Sequence, residues 1–225
     1  EIDKINRPQR PIPRGSISLK QAKLLYILYL LIGIVVSILN SVIFSLGFLN
    51  VIIAVFFGLL GWIYAKWGKK SGFLGNIIVS ISFSIGMIYG AILNNSIIPN
   101  YIYFFFLTSF SLLLSREIIK GCEDIEGDKI EGVKTLAIII GAKKSTIFSM
   151  VFSWIAILFF VLPIITAIIN PILFLIFMTF GLIDVFYAII IMLKKTLNQK
   201  DFKKLSLLLK IGAFLGLLAF IFASL

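Results

Sequence analysis

Arg116, Lys120, Asp124 and Asp128 follow one another at intervals of four residues. On a helix, residues four apart share a face with their Cβ atoms about 6 Å apart, so the spacing predicts a row of two cations followed by two carboxylates. Such a row suits a phosphate held partly by the cations and partly through Mg²⁺. That ion prefers one or two carboxylates plus phosphate oxygens to an all-protein cage. The same residues also suit a solvated charged loop with helical salt bridges. They belong to a charged island, residues 116–136, between long apolar stretches.

A second constellation lies in residues 1–19. Pro8, Pro11 and Pro13 rule out a continuous helix there and predict an extended, stiff path. Lys4, Arg7, Arg10 and Arg14 are spaced along it, and arginine forks match phosphate oxygens in bidentate fashion. A loop that served only to orient the chain in a membrane would need the charges but not the prolines. Ser16 or Ser18 then caps a helix beginning near Leu19.

Residue counts remove other chemistries. The chain has no histidine and one cysteine, which excludes His-based acid–base catalysis, Ser-His-Asp hydrolysis, an internal disulfide and a zinc cluster. The place of Cys122 in the island is read as incidental. Carboxylates, a divalent metal, Lys, Arg and Tyr remain.

The elements that must position these groups are membrane spans. The 225-residue chain is 60% hydrophobic with mean hydropathy +1.09, more apolar than a soluble domain of this length can bury. A span needs about 20 mostly apolar residues, and seven such stretches lie near 22–40, 44–65, 73–93, 99–119, 145–169, 171–193 and 205–225. The predicted fold is all-α, a polytopic membrane helical bundle. Charge fixes its topology: eight charged residues lie in 1–23, three in 66–70, twelve in 116–144 and six in 194–204. The turns between these segments carry none, and only Asp184 and Lys210 lie elsewhere. Loops rich in Lys and Arg mark the cytoplasmic side, so every charged loop is placed there, in a multi-pass protein of the cell membrane. The net charge of +11 follows from that topology and from anionic lipid headgroups, with no nucleic-acid partner implied.

Asp3 followed by Lys-Ile-Asn-Arg-Pro-Gln-Arg-Pro-Ile-Pro resembles the end of the first Asp-rich motif of the UbiA superfamily of intramembrane prenyltransferases, Asn-Asp-x-x-Asp-x-x-x-Asp. Asp124 and Asp128 match its second motif, Asp-x-x-x-Asp, with Gly132-Val133-Lys134-Thr135 following at the family's spacing. The resemblance runs over nearly the whole chain. Arg116 to Lys120, with Glu123 to Asp128, look most like the archaeal ether-lipid branch, whose members are geranylgeranylglyceryl-phosphate geranylgeranyltransferases. Gly121 departs from it, because that branch commonly places Asp there.

The resemblance implies Mg²⁺-dependent transfer of a prenyl group from a prenyl diphosphate to an acceptor hydroxyl, with release of pyrophosphate. It implies Asp3, Asp124 and Asp128 as metal ligands. Arg7, Arg10, Lys120 and Lys134 become candidates for diphosphate contacts, and Arg116 either holds an acceptor phosphate or pairs with a carboxylate. Glu117 or Glu123 either accepts the hydroxyl proton or forms a salt bridge. The family has nine transmembrane helices, whereas this chain shows seven and starts inside the first motif. Residues 1–225 are therefore expected to form one membrane-embedded prenyltransferase domain lacking its two N-terminal helices and nearly inactive alone.

Other residues leave two readings open. Asn76 either faces the site or caps its helix. Asp184, costly inside a span, either serves the lipid cavity or bonds a neighbouring helix. Phe104, Phe105, Phe106, Tyr101 and Tyr103 either line a prenyl tunnel or face lipid. Trp62 and Trp67 read as interfacial anchors, and Gly86, Gly90, Ser80 and Ser82 as close-packing positions. Two alternatives of function stand beside the ether-lipid reading: an aromatic acceptor, and a transporter. A transporter places its ionisable groups near the midplane, where only Asp184 qualifies.

Overall fold

Ser18 opens the first long helix as expected. Its hydroxyl accepts from Gln21 N, and Gln21 Oε1 accepts from Ser18 N, a reciprocal cap. The computed structural model describes residue 4 and residues 8–94, 98–130, 132–166 and 170–224; Asp3 and Arg7 lie outside them. The long helices are α1 (Leu19–Phe44), α2 (Leu49–Lys66), α3 (Phe73–Asn94) and α4 (Asn100–Glu123). Two short ones follow, α5 (Ile125–Ile130) and α6 (Leu136–Ile139), then α7 (Ala142–Val161), α8 (Pro171–Met192) and α9 (Gln199–Ser224). Among the described residues there is no strand, and seven helices are long and apolar enough to cross a membrane. The fold is an all-α polytopic membrane bundle.

The first loop differs from expectation. Arg14 N donates to Arg10 O at 2.9 Å and Ser16 N to Pro11 O at 3.0 Å, so residues 8–16 coil into turns instead of running extended. The fixed φ of proline suits turn positions as well as an extended path, and Gly15, at φ +82°, closes the loop.

Helix α4 is the axis of the bundle. Of its most apolar window 61% is buried, against at most 39% for any other span, and it packs on α3, α7 and α9. Helices α1, α2 and α3 pack in series, and α8 packs on α9 and α7. Small polar residues bring the helices close, since lipid offers no hydrophobic force between them. Ser115 Oγ on α4 lies 2.7 Å from Ser149 Oγ and 2.8 Å from Ser153 Oγ on α7. Asn50, fully buried, accepts from Ser41 Oγ at 2.7 Å and donates to Ser37 O at 3.0 Å, joining α1 to α2.

The expected packing positions on α3 are only partly of this kind. A Cβ at Gly86 or Gly90 would meet nothing within 4 Å, and Ser82 is exposed. Ser80 is buried, but its hydroxyl bonds back to Asn76 O in its own helix. Spacing alone does not reveal which helix face has a neighbour. In the aromatic group, Phe105 is fully buried among Phe160, Phe174 and Phe220, with ring centroids 5.2 to 6.4 Å away. Tyr103 is exposed. Trp62 and Trp67 are exposed, and the Lys66 ammonium lies over both rings.

Candidate functional site

Helix α4 ends at Glu123, and Asp124 takes φ −98°, ψ 12°. The hydrogen-bond ladder nevertheless crosses the joint: Asp124 N donates to Lys120 O at 2.9 Å and Asp128 N to Asp124 O at 3.0 Å. Asp128 O then accepts from Val133 N at 2.9 Å, folding the rest of the island back. The two carboxylates thus keep their four-residue relation across two helical segments.

Lys120, Asp124 and Asp128 border a cavity of about 480 Å³ together with Glu117, Gly121 and Thr135. Asn76 and Tyr64 border it from α3 and α2. Two glycines let the 67–75 turn approach closely enough to complete the wall. Gly72 sits at φ +64°, and a Cβ there would lie 1.9 Å from Lys134 O; a Cβ on Gly75 would lie 2.2 Å from Gly68 O. Thr135 Oγ1, buried on this cavity, has no hydrogen-bond partner.

The donors suit a hard cation. Among the described residues no three Asp, Glu, Cys or His side chains form a metal cluster by themselves. Two carboxylates beside an unpartnered hydroxyl fit an ion that takes its remaining ligands from phosphate oxygens and water, as Mg²⁺ does. An apolar cavity of about 430 Å³ lies deeper in the bundle, between Phe105, Leu112, Phe160, Gly181 and Gly212. Leu112 is eight residues from Lys120, about 12 Å along the helix. That cavity has no acid or cation in its lining, so it offers an apolar surface and no chemistry.

The expected row of four does not stay together. A four-residue step advances 40° beyond a full turn, so Arg116 and Asp128 stand about 120° apart around the helix. Arg116 instead borders a second cavity, of about 630 Å³, with Arg10, Lys120, Glu123 and the α9 residues Lys203, Ser206, Leu207 and Lys210. Lys120 borders both cavities. Glu117, only 8% exposed, stands between the two cations: its Oε1 is 2.7 Å from Arg116 Nη1 and its Oε2 3.7 Å from Lys120 Nζ. It is engaged as a salt-bridge residue. Lys134, expected on the diphosphate, is exposed and borders neither cavity; its flanking residues Val133 and Thr135 border the first. Arg10 borders the second cavity, with Glu123, and not the first.

Sequence reasoning gave no role to Tyr64, Thr135, Lys203, Ser206 and Lys210. Of these Thr135 carried a signal, its place in the stretch after the second motif, and Lys210 another, a cation inside an apolar span. Asp184 borders neither cavity. Its Oδ2 is buried without a hydrogen-bond partner and lies where a Cβ on Gly212 would stand 3.0 Å from it. Cys122 is buried in the core, as an incidental residue would be.

Comparison with known proteins adds an independent line. A model of the UbiA prenyltransferase family matches residues 1–223. Digeranylgeranylglyceryl phosphate synthase of Korarchaeum cryptofilum is 35% identical over 97% of this chain and 75% of its own length. The synthase of Saccharolobus solfataricus is 37% identical over 100% of this chain and 76% of its own. A solved structure of digeranylgeranylglyceryl phosphate synthase superposes with a TM-score of 0.70 at 34% identity, covering 99% of this chain and 76% of that one.

Proposed function

From the premise that this chain belongs to the UbiA prenyltransferase family, we propose that it transfers a geranylgeranyl group from its diphosphate to the hydroxyl of a glycerol-phosphate lipid, in archaeal ether-lipid synthesis. The observation that carries this reading is the first cavity, where Asp124, Asp128, Lys120 and Asn76 meet at one mouth of the bundle. The similar synthases, named for the product of that transfer, support the acceptor. None of the relatives named above is an aromatic-acceptor enzyme, and the family sets the transporter aside.

The bond that breaks joins the allylic carbon to a diphosphate oxygen, and the electron pair leaves on pyrophosphate. The bond that forms joins that carbon to the glycerol oxygen, whose proton passes to solvent. Asp124 and Asp128, with Asp3 of the first motif, would hold Mg²⁺, which supplies charge neutralisation to the departing anion. Lys120 donates to the diphosphate and stabilises the charge that grows on it. Arg7 is a further candidate for that role. Asn76 adds a neutral donor from α3, and the buried Thr135 hydroxyl another from the turn after the second motif. The apolar lining around Phe105 and Leu112 supplies a water-poor surface between the helices along which the prenyl tail would run. The charged loops gather at the end of the bundle where both cavities open, and their Lys and Arg content orients that end to the cytoplasm.

The test is transfer by the purified full-length protein that carries this chain, from radiolabelled geranylgeranyl diphosphate, with geranylgeranylglyceryl phosphate or a hydroxybenzoate as acceptor. Ether-lipid product only from the former, abolished by EDTA and restored by Mg²⁺, is expected. Product only from the aromatic would overturn the acceptor, and no product from either would overturn the reaction.

A further inference from the structure

Lys203 and Lys210 stand seven residues apart on α9, hence on one face and about 10 Å apart along the axis. Arg116 and Glu123 have the same spacing on α4. The two helices are tied at their charged ends, where Gln199 Nε2 donates to Glu123 O. Asn198 and Asp201 cap the start of α9 reciprocally, at 3.1 and 3.0 Å. The second cavity therefore has a firm frame. Five cations, Arg10, Arg116, Lys120, Lys203 and Lys210, border it against one carboxylate, Glu123.

Glu117 compensates Arg116 and Lys120 from outside this lining, which leaves the α9 wall as the side where charge is costly without a ligand. Among the described residues neither Lys203 nor Lys210 forms an ion pair. Arg116 pairs through Nη1 but keeps a buried Nε without a partner. Lys210 lies eleven residues into α9, about 16 Å along a membrane span, where a lysine is expensive. A lysine that only snorkelled to the lipid boundary would have no reason to share a cavity with Arg116. Ser206, buried between the two lysines on the same face, adds a hydroxyl donor.

We infer that this second cavity binds the phosphate monoester of the acceptor lipid, with Lys203, Ser206 and Lys210 of α9 as its receptors and Arg116 opposite them. The inference rests on the glycerol-phosphate reading above and goes beyond it, because it assigns the two phosphorylated substrates to separate cavities. A phosphate monoester carries close to two negative charges near neutral pH and calls for several cations together. Because Lys120 borders both cavities, it sets the acceptor beside the diphosphate, bringing the glycerol hydroxyl to the allylic carbon. Charge on α9 thereby selects a phosphorylated acceptor over a neutral one.

Steady-state transfer by the same purified full-length protein and its Lys203→Gln, Lys210→Gln and Lys210→Arg variants tests this. Acceptors are geranylgeranylglyceryl phosphate and its dephosphorylated alcohol. Expected is a rise of about tenfold in the KM for the phosphorylated acceptor with each Gln variant, the scale of one charge-assisted contact. The KM for geranylgeranyl diphosphate should stay within about twofold, preference for the phosphorylated acceptor should shrink, and Lys210→Arg should retain most of it. A rise in the donor KM instead would assign the cavity to the diphosphate and overturn the inference. Unchanged constants for both substrates would overturn it too, leaving the lysines as lipid-facing charges. Direct binding of the phosphorylated acceptor, measured without donor or metal, must weaken in parallel. Transfer by the unaltered protein with acceptor KM untouched in the variants sinks this inference alone; no transfer by the unaltered protein sinks the functional reading and this inference with it.

Discussion

Arg116 Nη1 lies 2.7 Å from Glu117 Oε1, a pair between neighbours in the chain, and the same carboxylate reaches Lys120 with its other oxygen at 3.7 Å. A buried acid that holds two cations this way orients them. It is poorly placed to take a proton, because both of its oxygens are already engaged by positive charge. Glu117→Gln should therefore raise the KM for both substrates by about three- to tenfold, with kcat changed little. A proton acceptor behaves otherwise: its loss costs roughly 10² to 10⁴ in kcat. Steady-state constants for each substrate, with the other saturating, separate the two roles.

Asp124 and Asp128 both border the first cavity, four residues apart, together with Lys120 and Thr135. Asp124→Asn and Asp128→Asn should each lower kcat/KM by roughly 10² to 10³, the scale on which removing one preorganised electrostatic group acts. Each should also raise the Mg²⁺ concentration needed for half-maximal rate. A magnesium titration of the residual activity checks this, and an unchanged midpoint in both variants would remove them from the metal site.

Gly121 borders the same cavity, and a Cβ there would stand 3.6 Å from Thr135 Cβ, ordinary contact. The position is therefore open to a side chain, unlike Gly72. Gly121→Asp adds a carboxylate one helical step before Asp124 and should lower the Mg²⁺ requirement several-fold, since affinity for a hard cation rises with the number of charged oxygen ligands. The helix should gain as well, because glycine within a helix costs up to about 1 kcal/mol relative to alanine. Gly121→Ala, which gains the helix stability without the carboxylate, is the control in the same titration.

The spans were legible because about 20 apolar residues have few other uses, and the cap at Ser18 because Gln21 follows at the right interval. The pairing of Asp124 with Asp128 was legible for the same local reason. The division of Arg116 from Asp128 was not: each four-residue step adds 40°, and only the positions of α3 and α9 decide which neighbour each side chain meets. Lys203 and Ser206 were invisible, since their partners lie more than eighty residues earlier in the chain. The first loop was misjudged because a proline is compatible with a turn and with an extended strand alike, and the hydrogen bonds from Arg14 and Ser16 settle which. Lys134 was placed on the diphosphate by its motif, yet it is the Lys134 carbonyl that closes on Gly72.

That closure is itself testable. Gly72 holds φ +64° with Lys134 O where a Cβ would need to be, at 1.9 Å. A side chain there must both occupy a left-handed conformation and push the 133–135 segment away from the first cavity. Holding a residue in such a conformation alone costs of order 1 to 3 kcal/mol. Gly72→Ala should therefore lower the midpoint of thermal unfolding in detergent by several degrees. It should also weaken donor binding, since Thr135 moves with the displaced segment. Gly86→Ala is the matched control: its Cβ would meet nothing within 4 Å, it lies inside α3, and it should leave the midpoint unchanged or raise it. If Gly72→Ala unfolds with the control and binds geranylgeranyl diphosphate as before, the turn at 67–75 does not shape the cavity.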